Sequence, residues 1–177
     1  MTLYCRINRP PSDVIEPLDL PDVKSYLSMR DDDEVSDPFL RESITVARSM
    51  LENILPFFIC QGTVYADCYP SHAVSGRQRI AVKGLLDDII EITAMREGRD
   101  EESLEGRIIT PELIEVDLGE EEFDWIHIRY TVRPDLLDAT LYNALLVMIR
   151  NRYDRRTENP LTEEVRQMIA PYIRVNI

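Results

Sequence analysis

The stretch Asp135–Arg156, DLLDATLYNALLVMIRNRYDRR, constrains this chain more than any other. It holds neither Gly nor Pro and is rich in good helix formers, so it predicts a long helix. Asp135 follows Pro134 and can cap the first turn, while Arg150, Arg152, Arg155 and Arg156 suit the negative end of the helix dipole. From Ala144 to Ile149 six consecutive residues are apolar, which leaves the middle of the helix without a polar face. Such a helix must be covered on all sides, either at the centre of its own domain or wedged between subunits. A bilayer span needs about 20 apolar residues, and Asp138 and Arg150 bracket far fewer.

Upstream, Pro10, Pro11 and Pro17 break residues 1–17, which read as an extended N-terminal arm. Asp19 can cap a short helix over 19–29, with Leu20, Val23, Lys24 and Leu27 at helical spacing. The acidic linker Arg30-Asp31-Asp32-Asp33-Glu34 follows, and Asp37-Pro38 marks a new helix start. That second helix, 38–55, lines one face with Leu40, Ile44, Ala47, Leu51 and Ile54 until Pro56 ends it. The period then falls to two. Strands are expected at Thr63–Tyr69, Gln78–Val82, Asp88–Met95, Leu113–Leu118 and Phe123–Val132. In the last, Ile126, Ile128, Tyr130 and Val132 face one way and Trp125, His127 and Arg129 the other. Leu118–Glu122 reads as a hairpin loop and Gly98–Arg107 as a protruding charged loop. After the long helix come a short one over 161–170 and an extended tail, 171–177. The expected fold is α+β: mainly a bundle of about four helices with a small antiparallel sheet between helices two and three, and extended arms at both ends. Residues 18–170 form a single domain in this reading.

A net charge of −13 argues against the usual nucleic-acid-binding surface, which needs a basic excess. Gly98–Asp124 holds eleven acids against Arg99 and Arg107, while Arg150–Arg156 holds four arginines against Asp154. Cys5, Cys60 and Cys68 are odd in number and show no CxxC spacing, so they read as reduced thiols of an intracellular protein. The first residues contain no apolar run of signal-peptide type.

Catalytic machinery is hard to find. His72 sits in a loop and His127 on the polar side of a strand, neither with a metal partner at helical spacing. No GxSxG elbow, GxGxxG or phosphate loop occurs. Asp31, Asp33, Asp37 and Glu42 fall on an EF-hand frame, but Val35 and Ser36 stand where an oxygen ligand and a glycine are required. The carboxylate pairs Asp87/Asp88 and Glu101/Glu102 lack any sign of a buried pocket. No enzyme activity, metal or cofactor is expected.

The order of elements resembles the head–tail connector (adaptor, or head completion) proteins of tailed phages and gene transfer agents. Leu20, Lys24 and Leu27 in Pro17–Leu27 match the "leu-x-x-x-lys-x-x-leu" opening helix of that family, followed by its acidic linker and by a long helix like Phe39–Leu55. The strand Ile126–Val132, the apolar run Ala144–Ile149 and Tyr153-Asp154-Arg155-Arg156 resemble the family's penultimate elements, and Leu161–Tyr172 its last helix and tail. The abrupt Arg133-Pro134 passage and the long acidic loop depart from the pattern.

The resemblance implies a virion protein of the neck, made in the host cytoplasm. It would form a homo-oligomeric, twelvefold ring beneath the portal protein, extend the DNA channel without sequence-specific binding, and offer a surface to a stopper or tail terminator. No membrane is involved. Tyr172, Ile173, Arg174, Val175, Asn176 and Ile177 would then be a docking tail for portal or neighbour. Tyr142, Leu146, Ile149, Arg150, Tyr153 and Arg156 would line a subunit interface, and Glu101, Glu102, Glu120, Glu121 and Glu122 would face the lumen or a partner and repel phosphates. The alternative is an acidic soluble cytosolic module that captures a basic protein; a hydrolase with an unrecognised carboxylate site ranks below both.

Overall fold

A computed structural model describes residues 2–10, 13–96, 99–133, 137–155 and 159–173. Helices and strands take near-equal shares of it, which overturns the expected helical bundle with a small sheet. The chain separates into two compact units, Met1–Ile15 with Gln61–Asp135, and Glu16–Cys60 with Leu136–Ile177.

The first unit is all β. Its strands are β1 (Thr2–Tyr4), β2 (Arg6–Asn8), β3 (Gly62–Cys68), β4 (Arg77–Ala81), β5 (Leu85–Met95), β6 (Glu102–Ser103), β7 (Gly106–Thr110), β8 (Leu113–Asp117) and β9 (Trp125–Arg133). They form two sheets, ordered β1-β4-β8-β7 and β2-β3-β9-β5-β6. Only β1 and β4 among the described pairs run parallel; the others are antiparallel.

Both sheet edges are corners. β1 and β2 are separated by Cys5 alone, and β6 and β7 by Leu104 and Glu105, so each corner strand passes from one sheet to the other and the sheets close like a barrel. Closure removes the open edges that invite aggregation. At the second corner Leu104 N–H donates to the Ile92 carbonyl, and Gly106 packs so closely that a Cβ there would push the end of the Ile92 side chain aside. The interior is built by alternation: Val64, Ala66 and Cys68 on β3 and Ile126, Ile128, Tyr130 and Val132 on β9 are all fully buried. β5 breaks its alternation at the doublets Asp87-Asp88 and Ile89-Ile90, and its register to β9 shifts at both places. Each shift is a bulge that bends the strand, as a closing sheet requires.

Four local expectations are corrected here. Residues 2–8 of the expected arm form corner strands: Leu3, Cys5 and Ile7 alternate with polar neighbours, Leu3 pairs with Ile80 of β4 and Ile7 with Ala66 of β3. Leu118–Glu122 is no hairpin, since β8 and β9 belong to different sheets. The charged loop carries β6 and the start of β7. Cys5 and Cys68, directly opposed by the β2–β3 register, form a disulfide with Cα atoms 4.2 Å apart, in place of the expected thiols. Cys60 lies outside it, buried.

The second unit is helical: α1 (Leu20–Tyr26), α2 (Asp37–Ile54), α3 (Ala139–Arg155), α4 (Glu163–Ile169) and a closing 3-10 turn, Ala170–Tyr172. α2 starts at the Asp37-Pro38 signal, with Pro in its first turn. Asp135 lies outside the described residues; Asp138 caps α3, its Oδ1 accepting from the N–H groups of Thr140 (3.0 Å) and Leu141 (2.9 Å). Leu141 and Ala144–Ile149 are buried in one cluster with Leu40, Leu51, Val23 and Val165 of the other helices.

Candidate assembly surfaces

Two buried cations organise the helical unit. Lys24, the lysine of the opening-helix motif, has a side chain only 5% exposed; its Nζ lies 2.6 Å from Asp37 Oδ1 and donates to the Asp31 carbonyl at 3.1 Å. It thereby holds α1, the acidic linker and the start of α2 together. Within that linker Asp33 accepts from Val35 N–H and the Ser36 hydroxyl, leaving Val35 at the tip, 93% exposed. Arg48 is the second cation. Its Nε and Nη1 donate to Glu16 Oε2 (2.9 Å) and Glu52 Oε2 (2.8 Å), and Glu52 Oε1 accepts from Ile59 N–H and the Cys60 thiol. Burial works to lower the Arg48 pKa, but hydrogen bonding to Glu16 and the charges of Glu16 and Glu52 outweigh it, and the net shift is upward.

The expected interface helix divides. Leu146 and Ile149 are committed to the helical core. Tyr142 is half-buried and donates to Asp22 Oδ2 at 3.3 Å; Arg150 covers the exposed Tyr26 ring at 5.9 Å; Tyr153 lies 6.5 Å from the Phe39 ring. Arg156 is outside the described residues. In the tail, the Tyr172 hydroxyl donates to Asp138 Oδ2, which lowers the Asp138 pKa and raises that of Tyr172. Tyr172 therefore belongs to the fold, and Ile173, 37% exposed, is the last described residue. Arg174, Val175, Asn176 and Ile177 lie outside the described residues. Glu101, Glu102, Glu120 and Glu122 are exposed, and Glu121, also exposed, pairs with Arg96.

The outer face of the five-stranded sheet carries a row of rings that was legible in part as the outward side of β9. Tyr69, Trp125, His127 and Tyr65 follow one another with centroids 6.4, 5.6 and 6.0 Å apart. Met95 sits opposite Trp125, and Arg129 pairs with Glu91 at 3.4 Å. His127 Nδ1 lies 2.6 Å from Asp67 Oδ1, and the Tyr65 hydroxyl donates to Asp13 at 3.0 Å. Tyr, Trp, Met and Arg are the residues enriched at protein interfaces, so this face has the composition of a contact surface. Tyr65 and Tyr69 were missed because they sit on β3 and just after its end, not on β9. Register to β9, which sequence spacing does not carry, brings them into line.

No group of three metal-ligating side chains occurs among the described residues. Two surface hollows, of about 290 and 440 Å³, are lined by paired charges of β4, β7 and β8 and by β5 with residues 103–106. No described helix is long and apolar enough to cross a membrane.

No protein-family model matches the chain, and no curated protein matches it. Its fold does match a solved structure described as the neck of an empty GTA particle, computed with C6 symmetry. The TM-score is 0.69 at 12% sequence identity, over 97% of this chain and 97% of that one.

Proposed function

We propose that this chain is a structural neck subunit: a non-enzymatic head–tail adaptor of a phage-like particle, assembled as a ring beneath the portal. The fold match to a neck component, nearly end to end in both chains, carries the reading. The element order that resembles connector proteins supports it independently. A twelvefold ring contains sixfold symmetry, so the expected copy number is compatible with the C6 symmetry of that neck. Its surfaces suit the task. The aromatic face of the five-stranded sheet offers contact area for neighbouring subunits or the stopper, and Tyr142, Arg150 and Tyr153 on the helical unit offer a separate one. The C-terminal residues from Ile173 onward would dock on the portal or a neighbour. Glu101, Glu102, Glu120 and Glu122 at the channel would repel DNA phosphates and let the genome slide.

The test is a copy count. Particles are purified from a producing culture, and this chain is quantified by mass spectrometry against the portal and capsid proteins. Copies equal to portal are expected. Absence from clean particles would overturn the reading in favour of an acidic binding module.

A further inference from the structure

We propose that the Cys5–Cys68 pair is a redox-sensitive clasp that locks or frees the N-terminal corner strand of the barrel. Cys5 is the single residue between β1 and β2, so one bond restrains both. Each of those strands is three residues long and hydrogen-bonds to one neighbour only, β4 for β1 and β3 for β2. Pairings that short are marginal without a covalent restraint. The bond closes a sequence separation of 63 residues, which removes much of the freedom the open corner would otherwise regain.

The boundary of the freed segment is also set by the structure. Downstream of β2, Val14 bridges to Gly62, Ile15 N–H donates to the Gln61 carbonyl, and Tyr65 donates to Asp13. Residues 13–15 are therefore held without the disulfide, and opening affects residues 2–8.

Access and chemistry agree. Cys68 is fully buried, whereas Cys5 is partly exposed. A glutathione thiolate attacks the Cys5 sulfur and expels the Cys68 thiolate, leaving a mixed disulfide on Cys5. A second glutathione attacks the glutathione sulfur of that mixed disulfide and releases the Cys5 thiolate, giving oxidised glutathione and two protein thiols after protonation. The reverse sequence, driven by oxidised glutathione, closes the clasp. Once open, the clasp uncovers the edges of β4 and β3, and each can then accept an extended segment of another chain. The inference rests on the Cys5–Cys68 bond and the short corner strands it joins, and stands or falls apart from the neck reading.

The test uses the full chain equilibrated in glutathione buffers from fully reduced to fully oxidised. A non-reducing peptide map and amide hydrogen exchange are read on the same samples. A linked peptide containing Cys5 and Cys68 should accumulate on oxidation. Residues 2–8 should exchange about tenfold faster on reduction, while 13–15 and β9 stay unchanged. In Cys5→Ser, residues 2–8 should exchange fast in both buffers. Absence of the linked peptide at every ratio, or equal exchange of residues 2–8 in the reduced and oxidised wild-type chain, would overturn the proposal, whether or not the variant folds.

Discussion

The β unit and the helical unit fix their interiors by opposite means. Inside the barrel the buried side chains are apolar, with Gln78 as the polar exception among the described residues. The helical unit buries Lys24, Ser43, Arg48, Glu52 and Asn151, each with a named partner: Arg152 donates to Ser43, and Asn151 donates to the Pro160 carbonyl and Thr162. The difference follows from the backbone. A strand is registered to its neighbours by ladder hydrogen bonds, and a slip of one residue would turn every side chain the wrong way. A helix satisfies its own backbone and can slide or rotate on an apolar neighbour at small cost. Directional polar contacts then supply the missing register. Arg48 ties α2 to Glu16, 32 residues away, and Lys24 ties α1 to the acidic linker and the start of α2.

The most damaging way to break this contrast is Arg48→Met. It leaves Glu16 and Glu52 without their cation in a site of low dielectric, and should cost about 3–5 kcal/mol in urea unfolding. The double variant Arg48→Met with Glu52→Gln should recover most of that loss, because Gln keeps the acceptor for Ile59 N–H. A single variant no worse than an ordinary surface substitution, about 0.5 kcal/mol, would mean that apolar packing alone positions the helices.

The matching change inside the barrel is Tyr130→Phe. Tyr130 is wholly buried and donates to the Lys83 carbonyl at 3.1 Å; burial raises its pKa. Because the ladder carries the register, removing the hydroxyl should cost only about 1 kcal/mol. A loss as large as that at Arg48 would show that the barrel depends on buried polar contacts too.

What could be read from the sequence divides along the same line. Helix signals are local: Asp37-Pro38, the apolar face from Leu40 to Ile54 and the run Ala144–Ile149 mark elements that the structure contains. Strand signals are local only where alternation is long, as from Ile126 to Val132. β1 and β2 did carry a signal in Leu3, Cys5 and Ile7, but three positions are too few to distinguish an arm from a strand. β6 and β7 lie among Glu102, Glu105 and Arg107, and β7 is exposed along its whole length, so no apolar period marks it. The disulfide and the aromatic row are products of cross-strand register between residues about 60 apart, and no spacing within either segment encodes them. Among the surfaces, the outward Trp125, His127 and Arg129 were visible on β9. The commitment of Leu146 and Ile149 to the interior was not, because a helix apolar all round does not say which side its own chain covers.

The smallest effect sharpens the contrast at the surface, where Asp138 and Tyr172 join the start of α3 to the closing turn. The Tyr172 hydroxyl first, then the N–H groups of Leu141 and Thr140, hold the Asp138 carboxyl below its ordinary pKa. A depressed carboxylate contributes stability above its unfolded value, about 3.9, and that contribution is lost as pH falls through the lower folded value. The same hydrogen bond raises Tyr172, whose contribution is present below about pH 10 and is lost as pH rises through the raised folded pKa. Thermal melts of wild type and Asp138→Asn should therefore differ modestly between pH 5 and 9, converge at the acid extreme and narrow at the alkaline one. Tyr172→Phe should remove the alkaline limb and leave part of the acidic one, because the two backbone donors to Asp138 remain. A gap between wild type and Asp138→Asn that stayed constant from pH 2 to 11 would mean that the cap acts through shape and not through charge, and this contact would then behave like the barrel and not like the buried ions of its own unit.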